Sequence, residues 1–86
     1  MREVITELHR AQALKKVEDW LDRAIRLKGE GAFASFHEMR GAISEEYQEL
    51  MDALYQRSSI HVERELKDLA VVAIFGLACL KAGTLP

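Results

Sequence analysis

The segment that most constrains the fold is an apolar run of twelve residues, Leu69–Leu80, near the C-terminal end of the sequence. As a helix this run has no polar face, and a helix that is hydrophobic all round has to be surrounded by protein. The chain has 86 residues, 49% of them hydrophobic, which predicts one small folded domain over residues 1–86. Three short helices cannot enclose the run completely. The sequence therefore predicts self-association into a dimer, or a dimer of dimers, that forms a four-helix or larger bundle.

Periodicity and end signals divide the chain into three helices, so the predicted fold class is all-α. Apolar residues recur at three- and four-residue steps over about 2–28, and glycines follow this stretch. Ser35 with Glu38 three residues later matches a capping box, so a second helix is expected over about 36–56. A third helix is expected over about 60–81, capped by one of the two serines before it.

Composition excludes several classes of protein. The formal net charge is −2 and the charges are mixed along the chain, which argues against a nucleic-acid-binding surface. The only cysteine is Cys79, so an intramolecular disulfide is impossible, and its apolar neighbours indicate a buried residue rather than a nucleophile. The first residues lack a signal-peptide core, and the apolar run is shorter than the ~20 residues that span a bilayer. A cytoplasmic protein that does not bind membranes is expected.

Carboxylates are concentrated in two places, Glu45, Glu46 and Glu49 on the second helix and Glu65 and Asp68 on the third. Residues three or four apart are neighbours on a helix, so each group shares one face, where the like charges repel. A divalent cation with oxygen ligands would offset this repulsion. The simpler interpretation of the second-helix acids is a solvated surface, but Asp68 directly precedes the apolar run, where an unpaired acid is costly.

The order of these acids resembles the signature EExxE, a variable gap, then ExxD of the MazG-like all-α nucleoside triphosphate pyrophosphohydrolase superfamily. Glu45-Glu46-x-x-Glu49 and Glu65-x-x-Asp68 match every position of it. The resemblance implies that Glu46, Glu49, Glu65 and Asp68 coordinate Mg²⁺, with Mn²⁺ as a substitute. It also implies catalytic roles for Glu45 and Glu46, with Glu45 helping to bind metal or to orient the attacking water.

The activity implied by this resemblance is hydrolysis of a nucleoside triphosphate between the α and β phosphates. Phosphoribosyl-ATP pyrophosphohydrolases and dimeric all-α dUTPases belong to the same superfamily, so the base and sugar stay open. A ferritin-like di-iron site is excluded, because none of the three histidines has a glutamate three positions before it. The alternative is a non-catalytic helical oligomer whose acidic face binds a protein partner.

Residues that would contact the substrate are less well defined by the sequence. Trp20 fits either core packing or stacking on a base, and Phe33 and Phe36 fit either a base pocket or a hydrophobic staple. Five basic residues are candidates for binding phosphate, and the sequence does not choose among them: Arg40, Arg57, Arg64, Lys67 and Lys81.

Overall fold

The computed structural model of the chain describes residues 1–85, which form three α-helices and no strand. Helix α1 covers Glu7–Lys28, α2 covers Phe36–Gln56 and α3 covers Ser59–Ala82. The predicted all-α fold class is therefore confirmed for the described residues. The predicted bounds of the second and third helices agree with the observed ones to within one residue.

The ends of the helices are set by local hydrogen bonds. Ser35 caps α2, because its Oγ accepts a hydrogen bond from the Glu38 amide at 3.1 Å. The Glu38 carboxylate accepts in return from the Ala34 amide at 3.2 Å, so the capping box is closed one residue earlier than its usual form. Gly83 ends α3 with φ of 70°, a left-handed conformation that glycine adopts without strain.

The start of α1 differs from the prediction. The apolar periodicity runs back to Val4 and predicted a helix from about residue 2, but α1 begins at Glu7. Thr6 is extended, with ψ of 161°, and its side chain accepts a hydrogen bond from the His9 amide at 3.1 Å. The threonine N-cap therefore starts α1 at Glu7, whereas the hydrophobic pattern alone would start the helix earlier.

Helices α2 and α3 form an antiparallel hairpin, and α1 packs against α3 but not against α2 within residues 1–85. The hairpin turns at Arg57, which has a left-handed backbone with φ of 56°. Among the glycines, Gly76 lies closest to another helix: an added Cβ would be 3.1 Å from Met39 Sδ. Gly41 has open space at its Cβ position, so Gly76, not Gly41, is the glycine that permits close packing.

The core of the single chain is small. The hydrophobic residues buried within it are Leu50, Ala53, Val71 and Cys79, and the described α1 helix has no buried residue. Val4, Ile5, Leu8 and Leu14, which belong to the apolar periodicity of the first predicted helix, are all exposed in the single chain. Cys79 is buried with a free thiol, as predicted.

One chain contributes three helices in the described residues, so it does not form a four-helix bundle by itself. A bundle of four or more helices would need a further helix from outside residues 1–85. Across the described residues, no helix combines the length and the apolarity that crossing a membrane requires.

Candidate metal centre

Four carboxylates from α2 and α3 meet in one cluster. Each of Glu46, Glu49, Glu65 and Asp68 offers an oxygen atom that lies within 4.8 Å of those of the other three. Three of the side chains are partly buried and Glu49 is exposed, so the cluster opens to solvent on one side. We refer to these four residues as the acidic cluster.

The hairpin explains why the four acids come together. On α2, Glu46 and Glu49 are three residues apart, and on α3 the same spacing joins Glu65 to Asp68, so each pair lies on one helix face. The short turn after Gln56 makes the two helices antiparallel and brings these faces opposite each other. The gathering of the acids that the spacing predicted is present, whereas their role as metal ligands stays a prediction.

The electrostatics of the acidic cluster oppose full ionisation. Partial burial is the main cause that raises the pKa of Glu46 from 4.5 to about 7, and the negative charges of Glu49, Asp68 and Glu65 add to it. The pKa of Glu65 is also raised, first by burial and then by a hydrogen bond shared with Glu49. Without a cation, Glu46 therefore keeps its proton to a higher pH than an isolated carboxyl group, and the pKa of Glu65 shifts in the same direction.

Two buried oxygens in the acidic cluster point to the ligand that it would hold. Glu46 Oε2 and Glu65 Oε2 are shielded from solvent and have no hydrogen-bond partner among the described residues. Buried polar atoms without partners are rare in native proteins, and a bound ion is one recognised cause. Carboxylate oxygens are the preferred ligands of Mg²⁺, so the residues present fit this cation.

Asp68 differs from the other acids because it has a hydrogen-bond donor from outside the hairpin. The indole Nε1 of Trp20, on α1, donates to Asp68 Oδ1 at 2.6 Å. Two cations lie over the indole ring, Lys67 Nζ at 4.0 Å and Arg23 Cζ at 4.7 Å from its centroid. Trp20 is partly buried, and its N–H is engaged by Asp68, a contact that the sequence did not predict. Its stacking on a base and its packing in an interface stay predictions.

An open cleft of about 330 Å³ adjoins the acidic cluster. Its walls are mainly apolar and come from the end of α1, the following loop, and both helices of the hairpin. Phe33 packs edge-on against Phe75 there, with ring centroids 5.5 Å apart and planes at 84°. Glu45 and Glu46 lie along the same cleft, so Glu46 belongs to both the cleft and the cluster. Phe36 is exposed and does not line the cleft. The structure thus distinguishes Phe33 from Phe36, to which the sequence assigned the same two candidate roles.

The structure distinguishes the other candidate residues as well. Glu45 is exposed and lies outside the acidic cluster. None of the five basic residues proposed from the sequence lines the cleft; the lysine that does so is Lys28, at the end of α1. The sequence reasoning missed Lys28 because it lies far from the acids along the chain, and only the packing of α1 on α3 brings it near.

The comparisons with known proteins add no relative. The chain was compared with protein-family models, with curated proteins and with solved structures, and none of the three comparisons gave a match.

Proposed function

We propose that this protein is a Mg²⁺-dependent nucleoside triphosphate pyrophosphohydrolase. The observation that carries the proposal is the acidic cluster, in which four carboxylates from two helices lie within 4.8 Å and two buried oxygens lack partners. The MazG-like order of the acids in the sequence gives the same assignment. Hydrolysis would add one water molecule across the bond between the α and β phosphates, releasing a nucleoside monophosphate and pyrophosphate.

In this proposal, Glu46, Glu49, Glu65 and Asp68 hold Mg²⁺, and Mn²⁺ would substitute for it. When bound, the cation would offset the charge of the carboxylates and of the phosphates, and it would increase the acidity of water beside it. Glu45 is exposed on the cleft side of α2, next to the cluster, where its carboxylate can orient the attacking water and accept its proton. Glu46 joins the metal site to the cleft, since it belongs to both.

The cleft suggests how the nucleotide is oriented. Phe33, Val72 and Phe75 supply apolar surface for a base, while Lys28 supplies a positive charge for a phosphate. Glu46 belongs to both the cleft and the acidic cluster. A nucleotide whose base lies in the cleft would therefore place its triphosphate toward the cluster. The shape of the cleft does not distinguish one base from another, so we propose the nucleotide class only.

The exposed surface supports a homo-oligomer as the active form. The chain exposes 7025 Å², whereas a compact monomer of 9.8 kDa exposes about 5,200 Å². The excess of about 1,800 Å² per chain is the amount that one partner buries in a large obligate dimer interface. A strip of α3, made of Leu66, Ala70, Ile74 and Leu77, is the surface that we propose a second copy covers.

This strip is continued by α1. Arg10, Ala13, Leu14 and Val17 form a shallow groove together with Ala70 and Ile74 of the strip. Its exposed walls are almost entirely apolar, and apolar residues at helical spacing on a second copy would fit it. Two chains joined along this surface would contribute six helices and enclose the apolar run that a single chain leaves half exposed.

The experiment that tests the proposed activity is pyrophosphate release from a panel of canonical and modified nucleoside triphosphates, with Mg²⁺ or with EDTA. We expect metal-dependent release by the wild-type protein and none by Glu49→Gln. The matched control is Asp52→Asn, one turn further along α2, where the exposed Asp52 only accepts a hydrogen bond from Gln48 at 3.1 Å.

The outcomes separate the proposal from its alternative. Release that requires Mg²⁺ and survives Asp52→Asn but not Glu49→Gln would support the enzyme. Absence of release from every triphosphate and from phosphoribosyl-ATP, with unchanged melting temperature in millimolar Mg²⁺, would refute it. That result would favour the non-catalytic helical oligomer, whose acidic face would then bind a protein partner.

A further inference from the structure

Trp20 occupies a distinctive place beside the acidic cluster. Helix α1 contributes no carboxylate to the cluster, yet the Trp20 N–H reaches Asp68 Oδ1 at 2.6 Å. The donor and acceptor are far apart in sequence and both are partly buried. This is a hydrogen bond to a carboxyl group in a partly buried place, where such bonds are stronger than in open water.

The two cations over the indole ring hold Trp20 in place. Lys67 Nζ lies 4.0 Å from the ring centroid, and Lys67 immediately precedes Asp68 in α3. Arg23 Cζ lies 4.7 Å from the same centroid and belongs to α1, one turn after Trp20. The indole ring is therefore attracted to one cation on α1 and to one on α3. This attraction favours the ring orientation in which the N–H donates to Asp68.

We propose that Trp20 is a positioning residue for the metal site, holding the Asp68 carboxylate so that Oδ2 faces the cation. This inference rests on the proposed function, because it requires that the acidic cluster binds a divalent metal. A carboxylate that is hydrogen-bonded through one oxygen loses rotational freedom and presents the other oxygen in a fixed direction. Partners of this kind outside the ligand set usually change metal affinity by 10- to 100-fold.

The test removes the N–H without changing the shape of the side chain. Trp20 is the only tryptophan in the chain, so a tryptophan-requiring expression host supplied with benzothienylalanine, in which sulfur replaces the N–H, alters this position alone. We expect the analogue protein to bind Mn²⁺ at least about tenfold more weakly by calorimetry. Its melting temperature without metal should stay within a few degrees of the wild-type value.

A second measurement uses Trp20 as its own reporter. Mg²⁺ added to the unmodified protein should change the emission of the single indole, since its hydrogen-bond acceptor becomes a metal ligand. The change should be lost in Asp68→Asn and retained in Asp52→Asn. Trp20→Phe, which lacks the N–H but keeps an aromatic ring for Lys67, should reproduce the weaker Mn²⁺ binding of the analogue protein.

Each outcome bears on a different claim. If the wild-type protein binds Mn²⁺ and hydrolyses nucleotides but the analogue protein binds Mn²⁺ within twofold of it, the positioning role is refuted and the proposed function stands. A lower metal-free melting temperature with unchanged Mn²⁺ affinity would also refute it, since the N–H would then act on stability alone. If the wild-type protein binds no Mn²⁺ at millimolar concentration, the metal site itself is refuted, and the positioning role with it.

Discussion

Replacing Glu46 with glutamine should stabilise the metal-free protein at alkaline pH. The pKa of Glu46 in the folded chain is raised from 4.5 to about 7, mainly by burial and then by the neighbouring acids. An acid with a raised pKa favours folding while it is protonated and opposes folding once it is ionised. Glutamine has nearly the same shape, cannot ionise, and can donate to the carboxylates around it.

The magnitude follows from the size of the pKa change. A rise from 4.5 to about 7 corresponds to about 3 kcal/mol at 1.36 kcal/mol per pH unit. Because Glu46 is only partly buried, solvent screening reduces this value, and we expect a gain of about 1–2 kcal/mol for Glu46→Gln at pH 8. For a domain of this size, such a gain raises the melting temperature by about 5–15 °C.

The stability difference between Glu46→Gln and the wild-type protein should depend on pH. Below about pH 4.5 the carboxyl group is protonated in both the folded and the unfolded chain, so the substitution should change little. Between 4.5 and about 7 the folded chain retains the proton longer, so the wild-type protein loses stability as the pH rises, and above about 7 the full penalty is present. The advantage of Glu46→Gln should therefore grow from pH 5 to pH 8.

The stability gain of Glu46→Gln is measured by thermal unfolding in EDTA at pH 5 and at pH 8, at one fixed protein concentration. Asp52→Asn, on the same helix but outside the acidic cluster, is the control and should show no advantage that grows with pH. In millimolar Mg²⁺ the order should reverse, because the wild-type protein gains binding energy that the variant lacks. Equal melting temperatures of variant and wild type at pH 8, or the same difference at pH 5 and pH 8, would refute the reasoning.

Three further predictions concern the cluster, the cleft and the proposed interface. Glu49→Gln should reduce pyrophosphate release at least about 100-fold, because it removes a metal ligand. It should also raise the metal-free melting temperature, because it removes a repulsive charge. A variant that retains activity in a stopped assay would contradict the ligand role. Phe33→Ala should raise KM for nucleotides about tenfold with a smaller effect on kcat, whereas Phe36→Ala, outside the cleft, should leave KM unchanged in steady-state kinetics. Ile74→Lys should shift the sedimentation coefficient toward that of a monomer. Tyr55→Lys, which also replaces a large exposed side chain by lysine but lies off the strip, should not.

The helices were predictable because their signals are local. The Ser35–Glu38 pair starts α2 where the sequence predicts, and the glycine after α3 ends it there. The start of α1 was not predicted, because apolar periodicity continues past Thr6 and a single N-cap outweighs it. Local end signals are thus more informative about helix bounds than hydrophobic periodicity, which reports only on the face that packs.

The site was predictable to the extent that it depends on spacing within each helix. Acids three residues apart share a face, and a short connection makes the two helices antiparallel, so the gathering of the acidic cluster follows from the sequence. The approach of Trp20 to Asp68 and the place of Lys28 in the cleft do not follow. Both depend on how α1 crosses α3, which is set by side-chain packing between segments more than forty residues apart.

The hairpin turn at Arg57 constrains how the distance between the two acidic pairs can vary. Each residue inserted into a helix rotates everything beyond it by about 100°, so one added residue between Glu49 and Glu65 would turn one pair away from the other. Two added turns, one on each helix, require about seven residues and restore the alignment. The gap is therefore expected to change in steps of about seven residues, unless a longer loop replaces the turn and absorbs the rotation.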